Sequence, residues 1–453
     1  MTVKNSVSKF KKILCALFLS VLLFNVLAPI ASAAMYDIEK VVSPYSAVYN
    51  VENGVFIFEK DADEYISATS CAKLMTAVLA LEHYGGDTSA RITITSEALK
   101  NVDKAVAGFR IGDSVSVKDL LYASLIANCT YSASVLAYAV SGSQAEFGKR
   151  MNAKAAELGM TNTTFASATC FGADVRYYHT TVRDSILLSA YAMKDPVISE
   201  IVNTVKYTFE SFTSALNQTI YTKNGYISKF VYGDAYYWQE KQGEPKPNGI
   251  SFTYSQESGY SLISSINFRS LTYICMCAGA FEDESGKISA YSDVKKLLLW
   301  ASNEYTTLKV LDKSRIFGEV PVRLSEESGY VVIVPGESLY AFLPRDTNVT
   351  NEIIYVYEIT EKELTAPVEK GQPVGRVILY RNGKEIASCA LVTKTQVSRS
   401  DSLAFRDAFF SPQLFIWISI SLVAACLFGI IRFLVFLSMS KTPALNRGKK
   451  LSK

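Results

Sequence analysis

Histidine is nearly missing: His83 and His179 are the only two in 453 residues. A zinc site built on imidazoles, or a Ser-His-Asp relay, has little to work with, so hydrolytic chemistry in this chain needs another base. Both histidines read as surface or packing residues, and neither a metal nor a cofactor is expected. An excess of one charge is missing as well. Forty-six Lys and Arg against forty-three Asp and Glu leave a formal +3, which excludes the basic footprint of a nucleic-acid binder. Eight cysteines are present, but Cys15 and Cys426 fall in long apolar runs. Cys71, Cys129, Cys170, Cys275, Cys277 and Cys389 are too scattered for a disulfide-stapled scaffold, and read as small buried hydrophobes. There is no internal repeat or low-complexity tract.

What is present is length and apolar content. At 49% hydrophobic residues the chain can fill two cores, since single cores stop growing at roughly 250 to 300 residues. Residues 1–33 have the parts of a secretory signal: Lys4, Lys9, Lys11 and Lys12, an apolar run from Ile13 to Ile30, then Ala31-Ser32-Ala33 as the cleavage site. Leu414 to Leu437 is apolar apart from Arg432, and at about 1.5 Å per residue it is long enough to span a bilayer core. Lys441, Arg447, Lys449, Lys450 and Lys453 follow it and place the tail, 438–453, in the cytoplasm. The expected layout is a single-pass cell-membrane protein with its ectodomain outside the cytoplasm.

Within the ectodomain, Tyr45 to Val51 and Val55 to Phe58 flank Asn53-Gly54 and predict a hairpin. Helical periodicity follows at Ala72–Leu81, Val117–Val140, Ala145–Leu158 and Thr181–Met193, and strands return at Gly249–Thr253, Tyr260–Asn267 and Leu271–Ala280. Early and late strands around a helical body predict an α+β class with one antiparallel sheet. Tyr232 to Asn248 reads as a loop. Short strand-like runs from 306 to 397 predict a small all-β domain after a domain at 34–305, and 398–413 reads as a juxtamembrane linker.

Chemistry points to Ser70-Cys71-Ala72-Lys73 at the start of the first long helix. Residues at i and i+3 share a helix face, so Lys73 can reach the Ser70 hydroxyl, and a desolvated lysine can serve as its base. Alone, Ser-x-x-Lys is more often an N-cap serine with an exposed lysine. Its setting is more specific. Ala68 to Ala77, Asp119-Leu120-Leu121-Tyr122, Ser141-Gly142-Ser143-Gln144, Leu158-Gly159-Met160-Thr161-Asn162 and His179-Thr180-Thr181-Val182-Arg183-Asp184 together resemble the D-alanyl-D-alanine carboxypeptidases, the low-molecular-mass penicillin-binding proteins. The resemblance extends to about residue 395. It implies the penicillin-binding-protein/β-lactamase-like transpeptidase fold, with peptidoglycan stem peptides or β-lactams as ligands and no cofactor.

Two of the family's three motifs are replaced. Its Ser-x-Asn corresponds here to Asn128-Cys129-Thr130, and its Lys-Thr-Gly to Ser251-Phe252-Thr253. An asparagine amide cannot relay a proton as a hydroxyl does, a step worth roughly 10² to 10⁴ in rate. Ser251 carries no charge for a substrate carboxylate, and Thr253 narrows the groove where glycine lets a ligand approach. Without the strand cation, Lys73 is expected to return toward its ordinary value of about 10.4 unless burial depresses it. Another lysine ammonium projecting into the cleft where Ser251 is placed would overturn that weakening. The oxyanion hole, implied to use the amides of Ser70 and Tyr254, survives any side-chain change. Cys71 and Cys129 fall inside motifs that face each other in the family, yet are expected to be separate packing thiols.

Two functions follow from this. The first is a family member with impaired or lost catalysis, retained for binding or scaffolding toward peptidoglycan or an envelope protein partner. The alternative is an active serine carboxypeptidase that trims stem peptides through a Ser70 acyl-enzyme. A β-lactamase is disfavoured by the same missing lysine.

Overall fold

The structure is a computed structural model that describes residues 38, 41–100, 102, 108–170, 174–210, 214, 217–239, 243–327, 329–409 and 412–439. The leader at 1–33 and the tail beyond 439 lie outside the described residues. The chain forms two compact units that divide after Tyr305.

In the first unit an antiparallel five-stranded sheet runs in the order Val55–Lys60, Tyr45–Asn50, Leu271–Ala280, Gly259–Phe268, Pro247–Ser255. The hairpin turns at Gly54, whose φ of +66° suits glycine. Strand side chains alternate between faces, and the alternation sorts the core. Ala47, Ile250, Ile263, Ile274, Met276 and Ala278 join the cluster built by the helical body, whereas the intervening Val48, Leu262, Cys275 and Cys277 are buried outside it. That second face is covered by a helix at Ser289–Glu304, which packs on the Gly259–Phe268 and Leu271–Ala280 strands. With both faces covered, Leu271–Ala280 is a nearly continuous buried run rather than an alternating one.

The helix carrying Ser70 and Lys73 spans Thr69–His83 and is buried from Thr69 to Leu81. It is buried all round because helices Thr130–Ser141, Gln144–Glu157 and Val182–Ala192 and the Pro247–Ser255 strand all pack against it.

Sequence and structure differ at several places. The helix expected from Val117 to Val140 is two helices, Val117–Leu125 and Thr130–Ser141. Asn128 takes a φ of +57°, a left-handed conformation that ends a helix and that asparagine tolerates better than most residues. The apolar pattern runs on because both halves face the core. The loop expected to run to Asn248 stops earlier, with Pro247 and Asn248 opening the edge strand. The helix at Ser289–Glu304 was not anticipated. The expected linker at 398–413 contains a helix, Asp401–Phe409, whose first turn is met by the Ser400 hydroxyl accepting from Leu403 N–H at 3.4 Å.

The second unit is built on a six-stranded sheet ordered Ile354–Ile359, Pro373–Arg381, Lys384–Thr393, Tyr330–Pro335, Gly318–Arg323, Leu364–Thr365. Its core includes Val320, Ile333, Val377, Leu379 and Leu391. A final helix, Pro412–Met439, contains an apolar stretch, Phe415–Leu437, of mean hydropathy 2.5 with none of it buried. That stretch is long and apolar enough to cross a membrane.

Candidate active site

Local hydrogen bonds fix where the serine helix starts. The short pairing of Ile66–Ser67 with His179–Thr180 brings in the chain, and Ser67 N–H donates to Ser258 Oγ at 2.8 Å. Ser67 Oγ donates to Thr69 Oγ1 at 3.0 Å, and Thr69 Oγ1 to the Cys170 carbonyl at 3.1 Å. Asp184, from the motif that starts at His179, accepts from Asn162 N–H at 2.8 Å and Thr163 Oγ1 at 2.7 Å. His179 itself stacks on Tyr65 at 3.7 Å and faces the Val175 carbonyl with Nδ1, which is a packing role.

Ser70 is the second residue of the helix, in the first turn where N–H groups have no partner within the helix and no acidic side chain is present to neutralise the positive end. Its Oγ is buried and has no hydrogen-bond partner. Lys73, one turn on, is only 7% exposed. Burial holds its ammonium down to about 8; nearby Cys129 and Cys170 oppose the shift, and the positive charge of Lys223 adds to it. The exception named for the expected return, depression by burial, is therefore the case that applies. Desolvation does what the strand cation was expected to do.

Thr253 is nearly buried on the edge strand, and Ser251 Oγ donates to the Ser70 carbonyl at 3.2 Å, tying this strand to the serine helix. From the other side Asn128 Nδ2 donates to the Phe252 carbonyl at 2.6 Å. The bond identifies the open edge: the Phe252 carbonyl points away from the neighbouring strand, and the residue two along, Tyr254, presents its backbone N–H on that same side. Asn128 and Ser251 thus use their polar atoms on protein groups.

A cavity of about 310 Å³ remains, lined by Lys73, Asn128, Thr130, Lys223, Thr253 and Tyr254 and walled by Tyr232, Phe252 and Tyr260. Phe252 and Tyr260 stack at 5.6 Å. The cavity gathers the serine helix, the second-motif loop and the edge strand, the three places the sequence pointed to. Sequence reasoning missed Lys223 and the aromatic wall. The one signal for Lys223 was a lysine between two polar residues, Thr222 and Asn224, which prove to be buried.

Cys71, Cys129 and Cys170 are buried free thiols. Burial pushes the Cys71 thiol up to about 12, so it is inert as a nucleophile. Among the described residues no cluster of ligating side chains could hold a metal ion.

The candidate site is thus a serine and a lysine one turn apart at a helix N-terminus, beside the open edge of an antiparallel sheet. Residues 37–237 match the D-alanyl-D-alanine carboxypeptidase family, and residues 305–399 match the penicillin-binding protein 5 C-terminal domain. The chain is 26% identical over 382 residues to the carboxypeptidase DacC of Escherichia coli (strain K12), covering 82% of this chain and 88% of that one. To DacF of Bacillus subtilis (strain 168) it is 23% identical over 357 residues, covering 78% and 85%. Among solved structures, penicillin binding protein 5 from Haemophilus influenzae superposes with a TM-score of 0.56 at 21% identity, covering 80% of this chain and 98% of that one. DacD from Francisella tularensis gives 0.58 at 18%, covering 83% and 98%. This chain belongs to the D-alanyl-D-alanine carboxypeptidase family of low-molecular-mass penicillin-binding proteins. Membership places it in peptidoglycan metabolism.

Proposed function

We propose that the protein is a membrane-anchored, extracytoplasmic member of this family that holds the ends of peptidoglycan stem peptides and turns them over slowly or not at all. Phe415–Leu437 is the anchor, and the basic residues after it set the tail in the cytoplasm. The observation that carries the reading is the state of the second motif: Asn128, in place of the proton-relaying serine, spends its amide on the Phe252 carbonyl. Losing that relay lowers the rate by roughly 10² to 10⁴. The binding role extends to a scaffolding contact with an envelope protein partner.

The active-carboxypeptidase reading draws on two features, the ammonium of Lys73 held at about 8 and the outward N–H of Tyr254, which with that of Ser70 forms an oxyanion hole. A labelled penicillin decides between them. Exposure of the full chain in detergent should give at most slow labelling, and none in Ser70→Ala. Rapid, stoichiometric labelling with release of D-Ala from a stem peptide would refute the impaired reading.

A further inference from the structure

The cleft is short of acid. Its 310 Å³ cavity has Lys73 and Lys223 among its lining residues and no Asp or Glu. A second, smaller cavity, with room for about one water, reaches from Asn128 and Lys223 to Gly249 and Ser251, and it too is lined by no Asp or Glu. Lys223 and Asn128 border both. Glu282, which lines neither cavity, accepts from Tyr260 OH at 2.5 Å. Thr130 and Thr253 add hydroxyl donors. A concave site with two ammonium groups, hydroxyls and no resident acid is complementary to an anion.

Lys223 is held there by its backbone. Its N–H donates to the Ile126 carbonyl at 3.0 Å, tying it to the second-motif loop two residues before Asn128. On either side Thr222 and Asn224 are buried, with Asn224 N–H donating to Thr222 Oγ1 at 3.2 Å and Tyr226 N–H to Asn224 Oδ1 at 3.0 Å. The side chain is exposed and, among the described residues, forms no ion pair. Its charge reaches Lys73, whose proton affinity it helps to lower.

We infer that Lys223 is the carboxylate anchor of this cleft, supplying from the second-motif side the positive charge that the family's third motif supplies from the strand where this chain has Ser251. The ligand is then a peptide with a free C-terminal carboxylate lying along the Pro247–Ser255 edge, its last residue toward Lys223. The inference rests on the stem-peptide reading above and deepens it.

The experiment measures affinities on full chain in detergent carrying Ser70→Ala, so that no turnover intervenes. The probes are N-acetylated L-Lys-D-Ala-D-Ala as the free acid and as its C-terminal amide. The parent should prefer the acid by about tenfold or more, the scale of one charge-assisted contact. Lys223→Gln should bring the acid down to the amide's affinity and leave the amide unchanged, which also shows that the variant is folded, and Lys223→Arg should keep the preference. An acid preference that persists in Lys223→Gln overturns the assignment of Lys223 while leaving stem-peptide binding intact. If the parent binds neither probe at millimolar concentration, both the stem-peptide reading and the role of Lys223 fail.

Discussion

The state of Lys73 can be tested through stability. Its ammonium is held at about 8 against an ordinary value of 10.5, with burial as the main cause. At about 1.36 kcal/mol per pH unit this difference corresponds to roughly 3 kcal/mol. The sign follows from proton counting: between pH 8 and 10.5 the unfolded chain holds a proton on this lysine that the folded chain has released, so unfolding becomes harder as pH rises through that window. Below 8 both states are protonated and the folded state bears the whole cost of a buried, unpaired ammonium. Lys73→Met removes the charge and keeps the volume. Relative to the parent it should be more stable by about 3 kcal/mol at pH 7, and the gap should close as pH approaches 10.5. Taking the difference between the two chains cancels the titration of tyrosines and thiols common to both. Urea midpoints followed by tryptophan fluorescence from pH 7 to 10 measure it, and ¹³C labelling of lysine Cε should place the Lys73 titration midpoint near 8. A gap that does not vary with pH, or a Met variant less stable than the parent at pH 7, would refute the claim that burial sets the charge of this group.

Restoring the family's motifs makes a second test. Ser251→Lys with Thr253→Gly, Asn128→Ser and Thr130→Asn should raise the rate of penicillin labelling by about 10² or more, because it returns the relay and frees the Phe252 carbonyl; continued inertness would count against the assignment of these residues to the motifs. In the β unit, a Cβ on Gly375 would stand 2.1 Å from the Glu358 carbonyl oxygen, a contact only a backbone shift can relieve. Gly375→Ala should destabilise that unit by about 1–3 kcal/mol in urea unfolding, and a change within experimental error would show that the pairing of Ile354–Ile359 with Pro373–Arg381 is looser than described.

Much of the frame was legible because it is written in local pattern. Asn53-Gly54 between apolar alternations gives the hairpin, and the periods of the serine helix and of Gln144–Glu157 survive to within three residues. The helix at Ser289–Glu304 was missed although its signal is present: Ala290, Val294, Leu297, Leu298 and Ala301 repeat at helical spacing and are all buried. The break at 126–129 was not, since a change of φ at Asn128 leaves no mark on an apolar pattern that both flanking helices need. The position of Lys223 was beyond reach for another reason. It depends on a backbone hydrogen bond to Ile126, a contact between segments far apart in sequence that no composition or spacing announces.

The two lysines of the cleft are coupled in a way that bears on what the site does best. With the cleft empty, Lys223 and burial act in the same direction on Lys73, favouring the neutral amine that could accept a proton from Ser70. A ligand carboxylate seated against Lys223 would cancel much of that charge and place a negative group in the same water-poor cavity, and both changes favour the protonated ammonium of Lys73. Ligand binding then raises the proton affinity of the base at the moment catalysis would require it to be free. When the third-motif cation stands on the strand, a relay hydroxyl in the second motif can still move the proton onward. On the proposed reading Asn128 takes that position with its amide committed to Phe252, so a ligand would gain a second ammonium to bind while the serine would lose its base. On the proposed reading, the same arrangement that would make the cleft a receptor for an anionic peptide end would work against hydrolysis.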